Sequence, residues 1–181
     1  DVLVLCTANR CRSPMAEALL ADRLASTGVP ATVTSAGMFA SGVAPPPEAV
    51  AALAPYGLDI SEHRSRHLEV ADVEAAGLVV GMARSHVREA VVLAPEAWPR
   101  TFTLKELARR GSDAGPRRPG ERLARWLARV GEGRVLSELL GDADVDDVAD
   151  PMGGAPEVYQ ATAALLGELV DRLVTLAWPA R

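Results

Sequence analysis

Residues 6–14 read CTANRCRSP, with two cysteines, two arginines and a serine inside the eight positions from Cys6 to Ser13. A short apolar run, DVLVL, precedes them and a helix-like run, MAEALLADRL, follows. Ser13-Pro14 reads as a helix start, because serine caps well and proline suits the first helical position. A loop passing from a strand end into a helix N-terminus turns backbone N–H groups inward and adds the positive end of the helix dipole. Such a loop is an anion site. Arg12 adds a planar fork that can hold two oxygens of a phosphate at once. The same field favours the thiolate of Cys6, and the thiolate is the reactive form. The pattern predicts a sulfur nucleophile held against a tetrahedral oxyanion. Phosphoryl transfer needs that positioning and charge stabilisation above all. Attack on phosphorus would give a cysteinyl-phosphate that water then hydrolyses, with no cofactor.

The leaving group needs a proton, and a carboxylic acid on a loop over the site is its natural donor. The acidic stretch offers Asp142, Asp144, Asp146, Asp147 and Asp150. Position alone does not choose among them. No metal site is expected: the two cysteines lack the close pairing of a zinc site, and His63, His67 and His86 form no ligand cluster. The Walker pattern GxxxxGK[ST] is absent.

Holding such a loop requires a strand on one side and a helix on the other. Strand candidates are 2–5, 32–35, 78–82 and 100–104; the first and third are almost wholly apolar, as strands buried on both faces should be. Helix candidates are 14–25, 46–55, 84–93, 120–130 and 157–177. The alternation predicts an α/β fold: a three-layer sandwich with a four-stranded parallel sheet and helices on both faces. Ligands in such sheets bind beyond the carboxyl ends of the strands, where residues 6–13 would sit.

The 181 residues suit one domain, 1–181, with an extended helical insertion at about 105–149. Residues 105–134 carry nine Lys/Arg against four Asp/Glu, whereas residues 138–150 carry six Asp/Glu and no Lys/Arg. The expectation is a loop, then an amphipathic helix bearing Arg122, Arg125 and Arg129, then an acidic loop. The basic residues would either pair internally or form a wall beside an anionic protein substrate. A net charge of −5 gives no case for nucleic acid or a membrane surface. No apolar run approaches the length of a bilayer span. The chain opens directly on DVLVL without a signal peptide, and two cysteines are too few for a disulfide scaffold. A reduced, cytoplasmic setting is the expectation.

CTANRCRSPMAE resembles the signature loop of the low-molecular-weight protein tyrosine phosphatases, a family that also contains protein arginine phosphatases and arsenate reductases. The resemblance continues through TSAG at 34–37, GLDISEHRSRHL at 57–68 and DPMGGAPEVYQAT at 150–162, in the family's order. It implies a phosphomonoesterase acting on phosphorylated proteins. Cys6 would be the nucleophile. Arg12 would bind phosphate with the loop amides of Thr7, Ala8, Asn9, Arg10, Cys11 and Ser13. Ser13 would hydrogen-bond the thiolate. Asp150, the only aspartate followed by proline, would be the general acid. Asn9, Ser35 and His63 match a network that holds the loop open. Cys11 matches a second loop cysteine able to form a reversible disulfide with the nucleophile.

Three positions depart from the family pattern. Ala8 stands where glycine is common and would be strained if its φ were positive. Arg10 occupies a position facing the leaving group, where an apolar residue is typical of tyrosine phosphatases and threonine of arginine phosphatases. Met152 stands where an aromatic side chain often covers a phenyl ring, with Phe39 as a substitute. The expected substrate is phosphotyrosine. The alternatives are phosphoarginine, which the DPMGG form favours and the Arg10 charge disfavours; arsenate reduction with a small-thiol cofactor, since no cysteine follows Cys11; and phosphate binding without turnover.

Overall fold

The computed structural model describes residues 1–39, 42–141 and 143–179. Four strands and seven helices alternate along it: β1 (Val2–Cys6), α1 (Arg12–Ser26), β2 (Val33–Gly37), α2 (Pro47–Leu53), α3 (Val70–Ala75), β3 (Leu78–Gly81), α4 (Arg84–Leu93), β4 (Thr101–Thr103), α5 (Leu104–Ala114), α6 (Leu123–Val130) and α7 (Pro156–Ala177). The strands form one all-parallel sheet in the order β2-β1-β3-β4. β1 therefore lies between β2 and β3, and the chain leaves it first to one side and later to the other. That reversal of strand order opens a crevice at the carboxyl end of β1, where residues 6–13 lie.

The apolar run of β1 explains its central place. All five of its residues are at most 3% exposed. Val2, Val4 and Cys6 pack into the larger core with α1, α2, α5, α6 and α7, while Leu3 and Leu5 pack into the smaller one with α3 and α4. Successive side chains point to opposite faces of a strand, so only an all-apolar strand can serve two cores. This is the three-layer α/β sandwich that the alternation predicted. No helix among the described residues is long and apolar enough to cross a membrane, and no group of three or more His, Cys, Asp and Glu side chains is arranged to hold a metal.

Several elements differ from the sequence expectation. β2 continues to Gly37, because Cys6 pairs with Gly37 in register. A Cβ at Gly37 would lie 2.7 Å from the Asn9 backbone nitrogen, so the signature loop packs directly on a bare backbone. α1 starts at Arg12 rather than at Pro14, and Ser13 is not its cap. The six-residue α3 was not expected; its start is closed by a reciprocal capping box between Glu69 and Asp72. α5 replaces the loop predicted after residue 104. Thr103 caps it by accepting from Glu106 N at 3.1 Å, and its Leu104, Leu107 and Ala108 enter the larger core. Its many charges masked a genuine helical stripe. The next helix is shorter than predicted: Arg122 is its cap residue, and only Arg125 and Arg129 lie within it.

Several charges of this region pair internally. The Arg134 side chain is 2% exposed, bonded to Glu106 at 2.7 Å and stacked between Trp98 and Phe102 at 3.8 and 3.9 Å. Arg129 pairs with Glu121. Arg84 and Arg109 both hold Asp146, at 2.7 and 2.8 Å. Within the basic stretch, Arg109, Arg129 and Arg134 are thus paired internally, whereas Arg122 and Arg125 are exposed.

Candidate active site

The signature loop wraps around the Cys6 sulfur. Ser13 Oγ donates to Cys6 Sγ at 3.0 Å and the Asn9 backbone N–H donates at 3.2 Å. Two donors aimed at one sulfur stabilise negative charge on it. The first N–H groups of α1 have no carbonyl one turn back within the helix, so they and the helix dipole face the same crevice. Ser13 serves the sulfur instead of capping the helix, which is why the predicted cap is absent.

Asn9 is the structural hub. It is wholly buried and alone among the described non-glycine residues has a positive φ, at 52°. Asparagine tolerates that region better than most residues. Its Nδ2 donates to Ser13 Oγ at 2.9 Å and to Ser35 Oγ at 2.7 Å, and its Oδ1 accepts from Arg66 N at 2.9 Å. Its backbone carbonyl accepts from His63 Nε2 at 2.8 Å. Asn9, Ser35 and His63 thus meet as the resemblance implied. Two further members of the network carried no sequence signal: Glu17, which accepts from Ser35 Oγ, and the Arg66 backbone N–H. Ala8 carries no positive φ; the left-handed residue is its neighbour Asn9, so the anticipated strain at Ala8 is absent.

Arg12 is 5% exposed and spans the site. Its Nη1 donates to the Val148 carbonyl at 3.0 Å, and its Nη2 donates to Thr7 Oγ1 at 3.2 Å and Asp150 Oδ2 at 2.5 Å. Asp150 sits 138 residues along the chain, and its side chain is 47% exposed. Its other oxygen accepts from Met152 N at 3.2 Å.

Two of the other acidic candidates, Asp146 and Asp147, are engaged elsewhere. Asp146 is buried; against the cost of burial, Arg109 and Arg84 hold its carboxyl below the usual carboxylate range. Asp147 accepts from the Arg84 backbone N–H at the start of α4, and from Ala143 N. The Asp144 carbonyl accepts from Lys105. Asp142 lies outside the described residues. Among the described candidates only Asp150 touches Arg12.

Two departures remain, Arg10 and Met152, together with the substitute Phe39. Arg10 Nε donates to the Ala44 carbonyl at 3.0 Å. Phe39 is 62% exposed and lines a pocket of about 300 Å³ with Thr7, Met38, Ser85, His86 and Glu89. Met152 follows Asp150 and its sulfur accepts a long contact from the Tyr159 hydroxyl. Cys11 is free and buried, and burial first, then the charges of Asp150 and Cys6, push its thiol up to about 12. His86, which sequence reading set aside, lies against Thr7 with its Nε2 at 3.0 Å from Thr7 Oγ1.

The family model of the low molecular weight phosphotyrosine protein phosphatases matches residues 1–114. A protein-arginine-phosphatase of Geobacillus stearothermophilus is 34% identical over 173 residues, which cover 95% of this chain and 92% of that protein. The probable low molecular weight protein-tyrosine-phosphatase EpsP of Ralstonia solanacearum is 43% identical over 107 residues, 59% of this chain and 71% of that protein. Among solved structures, a low molecular weight protein tyrosine phosphatase from T. tengcongensis superposes with a TM-score of 0.72 at 35% identity, covering 96% of both chains.

Proposed function

The chain belongs to the low molecular weight phosphotyrosine protein phosphatase family, and we propose that it hydrolyses phosphotyrosine in proteins through a phosphocysteine at Cys6. The observation that carries this reading is the convergence of five residues on one crevice. The Cys6 sulfur accepts from Ser13 and Asn9, and Arg12 bridges from the loop to Asp150.

The reaction runs in two displacements. The Cys6 thiolate attacks phosphorus while Arg12 and the loop amides of residues 7–13 hold the phosphate oxygens. Arg12 Nη2 is engaged by Asp150 before substrate arrives. An incoming phosphate takes over that guanidinium and frees the carboxyl for the leaving group. The ester P–O bond breaks, and Asp150 gives its proton to the departing oxygen. Water then attacks the phosphocysteine, Asp150 recovers a proton from it, and inorganic phosphate leaves. The sulfur departs as the thiolate, stabilised by the Ser13 hydroxyl. The side chains of Asn9, Ser35 and His63 keep the loop in shape and do not touch phosphate. Arg10, Phe39 and Met152 form the rim that meets the rest of the substrate. Cys11 stays a protonated thiol in the reduced enzyme and is the partner for Cys6 under oxidation, which spares the nucleophile from irreversible over-oxidation.

A second substrate, protein phosphoarginine, is favoured by one observation: the arginine phosphatase relative matches over nearly its whole length. Against it stands Arg10, which would set a cation beside a guanidinium leaving group. The deciding experiment is parallel hydrolysis of phosphotyrosine and phosphoarginine proteins, with Cys6→Ser as the blank. The expected result is a preference for phosphotyrosine and no turnover by Cys6→Ser. A clear preference for phosphoarginine would overturn the substrate assignment, and turnover by Cys6→Ser would overturn the nucleophile.

A further inference from the structure

His86 stands in the first turn of α4, 3% exposed, with no part in the displacements above. Its Nε2 lies 3.0 Å from Thr7 Oγ1. The same Oγ1 accepts from Arg12 Nη2 at 3.2 Å, the nitrogen that also holds Asp150. A histidine and an arginine therefore meet on one threonine hydroxyl at the wall of the cradle.

The protons can be placed by counting donors and acceptors. Arginine only donates, so one lone pair of Thr7 Oγ1 is taken by Arg12. The imidazole is neutral at ordinary pH: burial first, then the charge of Arg12, lowers its pKa to about 3. A neutral ring carries a single N–H. On Nδ1 that N–H would be buried without a partner, because His86 Nδ1 is shut off from solvent and unbonded. Buried orphan donors are rarer in folded proteins than under-used acceptors. On Nε2 the N–H donates to Thr7, and Nδ1 keeps only an idle lone pair. Nε2–H is the better-satisfied form. Thr7 Oγ1 then accepts twice, and its own proton is left out of both bonds. Thr7 is half-buried and lines the open pocket beside Phe39, so the free O–H has protein-free space to point into.

We propose that His86 is a positioning residue that fixes the Thr7 side-chain hydroxyl as an additional hydrogen-bond donor to the phosphate group. The proposal rests on the phosphatase reading of the same cradle. It gives the side chain of Thr7 a task separate from its backbone amide. The opposite tautomer would draw the hydroxyl proton to His86 and remove that donor.

The test uses the whole protein. Nitrogen-15 spectra of the imidazole should show a protonated Nε2 and a bare Nδ1. Affinities for orthovanadate and inorganic phosphate are then measured for the wild type, Thr7→Val, Thr7→Ser, His86→Phe and His86→Gln. Losing a hydrogen bond to a charged acceptor weakens binding by about 10- to 100-fold, which is the change expected for Thr7→Val. Thr7→Ser should stay near wild type. His86→Phe should lose a comparable factor with Thr7 intact, and His86→Gln, which restores an N–H donor, should recover most of it. The double variant Thr7→Val/His86→Phe should bind no worse than Thr7→Val. A purely structural role for His86 would lower the melting temperature of the Phe variant without this coupling or rescue. A protonated Nδ1, or vanadate binding unchanged in Thr7→Val, would overturn the proposal even if the Phe variant fails to fold. If the wild type hydrolysed neither phosphorylated substrate while Thr7→Val still weakened phosphate binding, the proposed function would fail and this inference would stand.

Discussion

Replacing Asn9 with alanine should destabilise the protein by several kcal/mol and disarm the loop together. The side chain is wholly buried and makes three hydrogen bonds, to Ser13, Ser35 and the Arg66 backbone. Each contributes about 0.5–1.5 kcal/mol net. The backbone φ of 52° adds about 1–2 kcal/mol for a residue that does not tolerate the left-handed region. The expected total is about 3–6 kcal/mol, which in a chain of this size lowers the melting temperature by about 6–20 °C. Asn9→Gly should recover the backbone part only. Asn9→Asp is the sharper variant. The Ser13 proton is committed to Cys6 and the Ser35 proton to Glu17, so a carboxylate oxygen in place of Nδ2 would face two hydroxyl oxygens with no proton to offer. Asn9→Asp should therefore be at least as unstable as Asn9→Ala. Urea and thermal unfolding of the three variants, with aryl phosphate hydrolysis alongside, measure both consequences. A loss below about 1 kcal/mol in Asn9→Ala, or wild-type stability in Asn9→Asp, would refute the amide's role as donor at the centre of the loop.

Asp150→Ala should slow substrates with poor leaving groups by about 10²–10⁴-fold while leaving activated aryl phosphates within about tenfold; equal activity on both would place the proton donor among residues 142–147. Arg134→Ala removes a buried, stacked partner of Glu106 and should cost about 3–5 kcal/mol in urea unfolding. Combining Arg134→Met with Glu106→Gln should regain part of that, and a single variant as stable as wild type would refute the buried network. His86 is held neutral down to about 3, whereas an unfolded chain protonates it near the ordinary histidine value of 6.5. Its contribution is therefore full above 6.5 and is lost as pH falls from 6.5 toward 3, at up to about 1.4 kcal/mol per pH unit. His86→Gln lacks this slope, so its stability curve should converge on that of the wild type as pH falls from about 7 to about 4. Parallel curves would show that His86 titrates normally.

The reach of the sequence can be followed residue by residue. β1 was legible because the short apolar run 2–5 suits a strand buried on both faces, and the structure extends it by one residue to Cys6. Cys6, Arg12 and Ser13 were legible because their chemistry lies within one loop. α5 was not, because Lys105, Arg109 and Arg110 hid a helical stripe whose apolar side became visible only against α7 and the sheet. α3 was too short to show a period. Ser13 was read as a cap because serine before proline is a local signal; its true partner, the Cys6 sulfur, depends on how the loop closes. Glu17, Gly37 and His86 carried no local mark, since each acts only by touching a residue distant in sequence.

By itself the sequence determined the Cys6–Ser13 loop, the alternation of strands and helices, and hence a parallel sheet with that loop at the carboxyl end of β1. These follow from side-chain chemistry and periodicity over a few residues. The resemblance singled out Asp150, but its contact with Arg12, the pairing of charges within the basic stretch and the side chain that faces Thr7 were decided only by tertiary structure. Arg12 and Asp150 stand 2.5 Å apart across 138 residues of chain. That closeness is set by the order of strands in the sheet and the packing of helices on its two faces, neither of which is written in any single stretch of sequence.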